Sequence, residues 1–188
     1  MNYNVRFEPG HIYHVYNRVI GKELMFYHDR NYQYFLKKYF QFMSIHLDTL
    51  AYCLLPNHFH LLIRVLENAD LDAMHNDFRR FFISYSKAIN RQEDRKGSLF
   101  MKPYKRKKVD SNEYLGNITA YIHLNPWLHV KSQDYQSYPW SSFQSYLSRQ
   151  DKRIEATTLL NWFGSTHEFV EFHQSSMEME KDVDRYFL

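Results

Sequence analysis

Two histidines separated by a single residue, His58 and His60, lie in the apolar run LLPNHFHLLIR at positions 54–64. In a β-strand, residues two apart point to the same face and lie about 6.6 Å apart. Two neutral imidazoles at that spacing can bind one divalent metal at about 2.1 Å each. The same pattern also fits ordinary half-buried strand histidines. Zinc hydrolases usually continue such a pair with an acidic residue and another histidine, whereas Leu61 and Leu62 follow here, which disfavours a hydrolase.

A tyrosine and an asparagine four residues apart, Tyr121 and Asn125, occur in the segment EYLGNITAYIHLNP. Positions i and i+4 share one face of a helix. A tyrosine there can act as a nucleophile in phosphoryl transfer, and the amide oxygen one turn later can be a third metal ligand. Alternatively, Tyr121 is a core residue, and Pro126 disfavours helical geometry at Asn125. His123 faces elsewhere on the helix, so we leave it out of the metal set.

Positive charge is concentrated in one part of the chain. Residues 79–108 hold 11 Lys or Arg against Glu93 and Asp94, although the net charge of all 188 residues is only +3. A basic block of this kind indicates a polyanionic partner such as a nucleic acid, or otherwise a solvated helix end and loop.

The elements that must position these residues follow from hydrophobic periodicity and turn signals. Alternating aromatic and β-branched residues predict strands over 11–19, 47–56 and 58–65, and residues 98–109 predict an edge strand after Pro103. Apolar residues at three- and four-residue steps predict helices over 29–45, with Asp29 as a cap, and over 70–91. A third helix is capped by Ser111 or Asn112 and stopped by Pro126. This order predicts an α+β, ferredoxin-like or RRM-like sandwich, an antiparallel sheet with helices on one face and the other face available for a ligand.

The length of 188 residues favours one main domain with appended elements. The single cysteine, Cys53, cannot form an intramolecular disulfide. The N-terminus has no signal-peptide pattern, and no window reaches the roughly 18 apolar residues of a membrane span. We therefore expect a soluble, cytoplasmic protein that does not bind a membrane.

Several segments together resemble one known family. PNHFHLLI is similar to the HUH motif (His, hydrophobic, His) of the single-tyrosine transposases, and SNEYLGNITAYIHLNP resembles their catalytic helix. Further similarity lies in YHVYNRV, MFYHDRNYQYFL, KGSLFMKPYKRKKV and YPWSSFQSYL, over roughly residues 10–147. The form of these segments resembles the REP-associated tyrosine transposase branch.

The resemblance implies a DNA transposase that cuts and rejoins single-stranded or hairpin DNA through a 5′-phosphotyrosine intermediate. By position, His58 and His60 match the pair that binds Mg²⁺ or Mn²⁺, Tyr121 matches the nucleophile, and Asn125 matches the polar residue that completes the metal site. We expect Mn²⁺ to bind better, because later divalent metals prefer imidazole ligands. Predicted DNA-binding residues are Lys105, Arg106, Lys107, Lys108, Arg79, Arg80 and Lys87 through phosphates, and Tyr104 through base stacking.

We expect an HUH transposase domain over 1–147 and a C-terminal helical extension over 148–188. After Asn125 and Pro126 the chain reads WLHV, where the family often has a short basic stretch containing glycine. The alternative function is a non-cleaving module, derived from a transposase, that binds structured DNA. The sequence leaves open a monomer or a homodimer, and a catalytic site built within one chain or shared between two.

Overall fold

The computed structural model describes residues 5–130 and 134–179. The part of the predicted C-terminal extension beyond residue 179 lies outside the described residues. No helix in the described ranges is long and apolar enough to cross a membrane. The described strands are β1 (Ile12–Arg18), β2 (Leu47–Leu55), β3 (His58–Val65) and β4 (Lys105–Lys108), and the helices are α1 (Asp29–Met43), α2 (Leu71–Gln92), α3 (Asn112–His129), α4 (Phe143–Ser148), α5 (Ala156–Phe163) and α6 (Thr166–Met179).

The four strands form one antiparallel sheet in the order β2-β3-β1-β4. The turn after Pro56 joins β2 and β3 into the predicted hairpin. β1 then pairs with β3, so that Tyr16 lies opposite His60. On its other side β1 pairs with β4, which is the edge strand that Pro103 indicated. The predicted α+β sandwich is therefore confirmed.

Helices contact both faces of the sheet. Phe59 points to the face covered by α1 and α2, where its ring centroid lies 5.3 Å from that of Phe35 and 6.0 Å from that of Phe82. His60 points to the opposite face, as alternation along a strand requires, and contacts Tyr121 of α3. The helices predicted on one face are α1 and α2, whereas α3 covers part of the face that was expected to be open.

Helix α3 continues through the proline that was expected to stop it. Ser111 caps the helix as predicted, but Pro126 lies inside it and the helix ends at His129. Proline removes only one backbone N–H, the partner of the Ile122 carbonyl. The next turn is kept because the backbone N–H of Val130 donates to the carbonyl of Pro126 at 2.9 Å. The prediction that α3 stops at Pro126 is therefore wrong by one turn.

The start of α1 and the extent of β4 also differ from the predictions. The N-cap of α1 is His28 rather than Asp29, because the side chain of Asn31 accepts the backbone N–H of His28 and closes the first turn. The extended segment predicted over 98–109 is a strand only at Lys105–Lys108. Before it, Phe100 makes a single isolated bridge to Val19.

The C-terminal helices share the core of the sheet domain. The boundary predicted between residues 147 and 148 falls within α4. His173 of α6 contacts His123 of α3 at 2.9 Å between ring nitrogens, and Trp162 of α5 lies against Gly116 of α3. The helices after α3 therefore support the helix that carries Tyr121.

Candidate active site

In each of the two histidines of β3, one ring nitrogen has a polar neighbour and the other has no hydrogen-bond partner within residues 5–130 and 134–179. The Nδ1 atom of His58 lies 2.6 Å from the Oδ1 atom of Asn57. The Nδ1 atom of His60 lies 2.9 Å from the Nε2 atom of His14. Both Nε2 atoms are buried and have no hydrogen-bond partner among the described residues. The ring centroids are 5.2 Å apart, so the two imidazoles are immediate neighbours.

Both imidazoles are held in the neutral form that metal ligation requires. Burial lowers the pKa of His58 to about 4, with a further lowering from the neighbouring His129. The side chain of Asn125 acts in the opposite direction on this pKa, although the two side chains do not reach hydrogen-bond geometry. Burial, followed by the nearby His14 and His58, lowers the pKa of His60 well below its ordinary value.

Helix α3 brings Tyr121 and Asn125 to the same site. The ring of Tyr121 lies 5.4 Å from that of His60, at 89° to it, and is 0% exposed. The amide nitrogen of Asn125 donates to the backbone carbonyl of Tyr121 at 2.7 Å. That bond orients the amide, and its Oδ1 atom is buried without a hydrogen-bond partner in the described part of the chain. The four residues predicted from the sequence as catalytic or metal-binding therefore lie together.

A cavity of about 720 Å³ opens beside the histidine pair. His58, His60, Arg18, Lys105, Met101 and His129 are among its lining residues. His129 was not predicted, because it lies beyond the proline expected to end α3. Its ring centroid is 5.1 Å from that of His58, and its Nε2 atom is buried with no hydrogen-bond partner in the described residues.

The donor set fits one divalent cation with a third ligand from an amide. Within residues 5–130 and 134–179, no three His, Cys, Asp or Glu side chains are close enough together to hold a metal, so His129 does not complete a three-histidine site. Asn125 is the remaining candidate for the third ligand, because its side-chain oxygen lies beside His58 and has no hydrogen-bond partner among the described residues. Buried ligand atoms without partners are what a bound cation would satisfy. His58, His60 and Asn125 therefore fit a weak site with open positions.

Sequence reasoning also missed two residues of β1. His14 contacts His60 directly, and Arg18 lies opposite His58 in the strand register. The signal for them was present in the period-two pattern, which places His14 and Arg18 on one face of β1. The pairing of β1 with β3 was needed to show that this face is also the face of the histidine pair.

Alternation along β4 divides the four basic residues predicted to bind DNA. Lys105 and Lys107 point to the face of the histidine pair, where their ammonium groups lie over Tyr16 at 5.8 Å and Tyr114 at 4.1 Å. Arg106 and Lys108 point to the other face. There, Arg106 lies over the ring of Phe7 and donates to a backbone carbonyl, and Lys108 forms an ion pair with Glu8 at 2.7 Å.

The remaining predicted DNA-binding residues are not brought to this site. Arg79, Arg80 and Lys87 are exposed on α2, which covers the face of the sheet opposite the histidine pair. The prediction that Tyr104 is an exposed stacking platform is wrong. Its ring packs against Phe78 and Phe82 of α2, at 5.2 and 5.4 Å, because Tyr104 points to the same face as Arg106.

The fold of this chain is similar to that of a solved protein. The solved structure of a REP-associated tyrosine transposase bound to a REP hairpin is similar to this chain, with a TM-score of 0.65, over 79% of this chain and 86% of that one, at 14% identity. The sheet of four antiparallel strands with its helices is thus the fold of that protein.

The sequence comparison points to the same branch. A curated relative from Haemophilus influenzae, assigned as a REP-associated tyrosine transposase, is 29% identical over an alignment of 103 positions that covers 51% of this chain. The chain spans 58% of that relative's length. No protein-family model matches the chain. Both similarities confirm the resemblance to REP-associated tyrosine transposases.

Proposed function

We propose that this protein is a metal-dependent DNA transposase that cuts and rejoins a single DNA strand through a phosphotyrosine intermediate. One observation carries the proposal. His60, whose Nε2 atom like that of His58 has no hydrogen-bond partner among the described residues, lies with its ring 5.4 Å from that of Tyr121, which comes from a different element of the fold. A tyrosine nucleophile next to a cation site is the minimum that transfer of a phosphodiester to protein requires.

Each residue has a separate role in the proposed reaction. The hydroxyl oxygen of Tyr121 attacks phosphorus, the bond from phosphorus to the 3′ oxygen breaks, and the phenol proton leaves as the 3′-OH gains one. The DNA 5′ end is then esterified to Tyr121, and attack by another 3′-OH reverses the step. A bound Mg²⁺ or Mn²⁺ would neutralise charge on the scissile phosphate. His58, His60 and Asn125 would hold that ion, and Arg18 would face the phosphate from β1.

We propose single-stranded or hairpin DNA as the substrate. The similar solved protein is bound to a REP hairpin, and the cavity next to the histidine pair has a basic rim that includes Arg18 and Lys105. Cations at such positions bind phosphates without reading sequence.

The direct test is formation of a covalent adduct. The protein is incubated with an end-labelled DNA hairpin carrying a single-stranded flank and Mg²⁺ or Mn²⁺, then denatured and separated by electrophoresis. We expect a labelled band at the mass of protein plus DNA. Tyr121→Phe should abolish this band while DNA binding changes little. Tyr114→Phe, on the same helix, is the matched control and should retain it; an adduct formed by Tyr121→Phe would show that another tyrosine is the nucleophile.

A second test concerns the histidine pair. His58→Ala combined with His60→Ala should remove both the adduct and the thermal stabilisation that Mn²⁺ gives to the intact protein. His11→Ala, at an exposed histidine of the same domain, serves as the control. Cleavage that survives the double substitution would contradict the assignment of these two residues as ligands.

The alternative is a module that binds structured DNA without cutting it. The complete burial of Tyr121 favours it, because a covered hydroxyl has to be exposed before it can reach a phosphate. Binding of the hairpin with no adduct, across both metals and several flank lengths, would support this alternative.

A further inference from the structure

A third histidine, His14 of β1, contacts His60 of the histidine pair. Its Nε2 atom lies 2.9 Å from the Nδ1 atom of His60, and the two residues are 2% and 1% exposed. His14 pairs with Leu62 across the strands, so His14 and His60 are diagonal neighbours on one face of the sheet. The reaction steps proposed above assign no role to His14.

The contact restricts where the proton of His60 can be. A neutral imidazole has one N–H donor and one acceptor nitrogen. If His14 accepts, His60 carries its proton on Nδ1 and presents a lone pair on Nε2. If His14 donates instead, His60 must carry its proton on Nε2, which has no hydrogen-bond partner among the described residues. A buried N–H without an acceptor is unfavourable, so the arrangement in which His14 accepts is the more stable one.

Stacked rings fix the orientation of both side chains. The ring of Tyr16 lies 4.7 Å from that of His14 at 17°, and 5.7 Å from that of His60 at 15°. The rings of His14 and His60 are themselves stacked, with centroids 5.1 Å apart. His60 is therefore held both by a hydrogen bond and by a planar contact, and neither depends on a bound ligand.

We propose that His14 is a positioning residue, which accepts the Nδ1 proton of His60 and so keeps the Nε2 lone pair of His60 directed at the cation. The proposal rests on the ligand role of His60 in the proposed function. Metal-bound histidines usually donate this proton to a carboxylate, a carbonyl or water. A neutral imidazole brings no negative charge, so His14 fixes the tautomer of His60 while raising its basicity less than a carboxylate does. The cation then depends more on the DNA phosphate for its remaining ligands.

The first measurement uses the full chain without metal or DNA. Long-range ¹H–¹⁵N spectra of protein labelled at histidine report which ring nitrogen is protonated. We expect His60 in the Nδ1–H tautomer in the unsubstituted protein. In His14→Phe, which keeps a ring beside Tyr16 but has no acceptor, that tautomer should be lost or mixed. In His14→Gln, whose amide oxygen can accept the same proton, it should be restored.

The second measurement is Mn²⁺ affinity by calorimetry on the same proteins. The loss of such a partner typically weakens metal binding about 10- to 100-fold, so we expect that loss for His14→Phe and partial recovery for His14→Gln. His11→Phe is the control and should change neither measurement. A melting curve checks that each variant is folded. If His14→Phe does not fold, the role of His14 is tested by the tautomer of His60 in the unsubstituted protein and in His14→Gln.

Two outcomes would overturn the proposal: His60 carrying its proton on Nε2 in the unsubstituted protein, or unchanged Mn²⁺ affinity in folded His14→Phe. If the tautomer of His60 and the Mn²⁺ affinity depend on His14 but no DNA adduct forms, the role of His14 is supported and the proposed nuclease function is contradicted. The two failures are therefore distinguishable.

Discussion

Single residues on β3 and β4 are assigned to different tasks by the side of the sheet to which they point. Phe59 packs against Phe35 and Phe82 in the core, while His58 and His60, its neighbours in the chain, line the cavity on the other side. Lys105 and Lys108 are separated in the same way. A basic run is therefore a poor guide to a DNA-binding surface until the strand's orientation is known.

This alternation makes a prediction for DNA binding. Lys105→Ala should weaken hairpin binding several-fold and reduce the slope of log affinity against log salt by about 1, because one phosphate contact is lost. The matched variant Lys108→Ala, whose side chain pairs with Glu8 on the other face, should leave the slope unchanged. Fluorescence anisotropy titrations over a range of KCl concentrations measure both. Equal slopes for the two variants would contradict the division of β4 into two faces.

At the scale of elements, the placement of α3 depends on a close contact at a glycine. A Cβ atom at Gly116 would lie 2.5 Å from the Cη2 atom of Trp162 and 3.1 Å from the Cζ atom of Phe172. These rings belong to α5 and α6. The absence of a side chain at Gly116 thus lets the two C-terminal helices approach the helix that carries Tyr121.

Gly116→Ala should therefore destabilise the protein. Overpacking typically costs about 1–3 kcal/mol, from which the better helix propensity of alanine recovers up to about 1 kcal/mol. We expect a net loss of up to about 2 kcal/mol in the free energy of unfolding, measured by urea denaturation. In a Trp162→Leu background the same substitution should cost less, because the opposing ring is gone. A gain in stability for Gly116→Ala in the unsubstituted chain would show that the ring moves aside freely.

Much of this arrangement could be predicted from the sequence, for reasons specific to each element. The spacing of His58 and His60 and the period of β3 are local properties, so the sequence predicted both the strand and the shared face. The position of Tyr104 depended on α2, which presents Phe78 and Phe82 to it, and that tertiary packing has no local signature. His129 was missed because Pro126 is tolerated within α3, where packing outweighs the loss of one hydrogen bond.

At the scale of the whole molecule, a buried pair of histidines joins α6, near the C-terminal end of the described chain, to α3. His123 contacts His173 through ring nitrogens at 2.9 Å, and its other nitrogen contacts the hydroxyl of Ser142 at 2.8 Å. Burial lowers the pKa of His173 to about 4 and that of His123 well below its ordinary value. Both side chains are therefore neutral in the folded protein at pH values where they would be charged in the unfolded chain.

This pair should make the fold sensitive to acid. Because the pKa of His173 is lower in the folded state, the unfolded chain binds more protons below about pH 6.5, and stability falls as the pH falls from there toward 4. A shift of this size corresponds to about 3 kcal/mol. His173→Gln should reduce the loss of melting temperature over this range, whereas His167→Gln, at an exposed position of α6, should not. Identical pH profiles for both variants would contradict the contribution of His173.

If Tyr121 is the nucleophile that we propose, its complete burial protects a cell that contains much DNA. A reactive phenol on an open surface would meet every passing strand, and each encounter would risk a break in the genome. Here the ring of Tyr121 is covered by its own domain, so under the proposed function a strand would have to form enough contacts to offset the free energy of uncovering it. Brief encounters with unrelated DNA would not supply those contacts, and selectivity would then be set before any bond is broken.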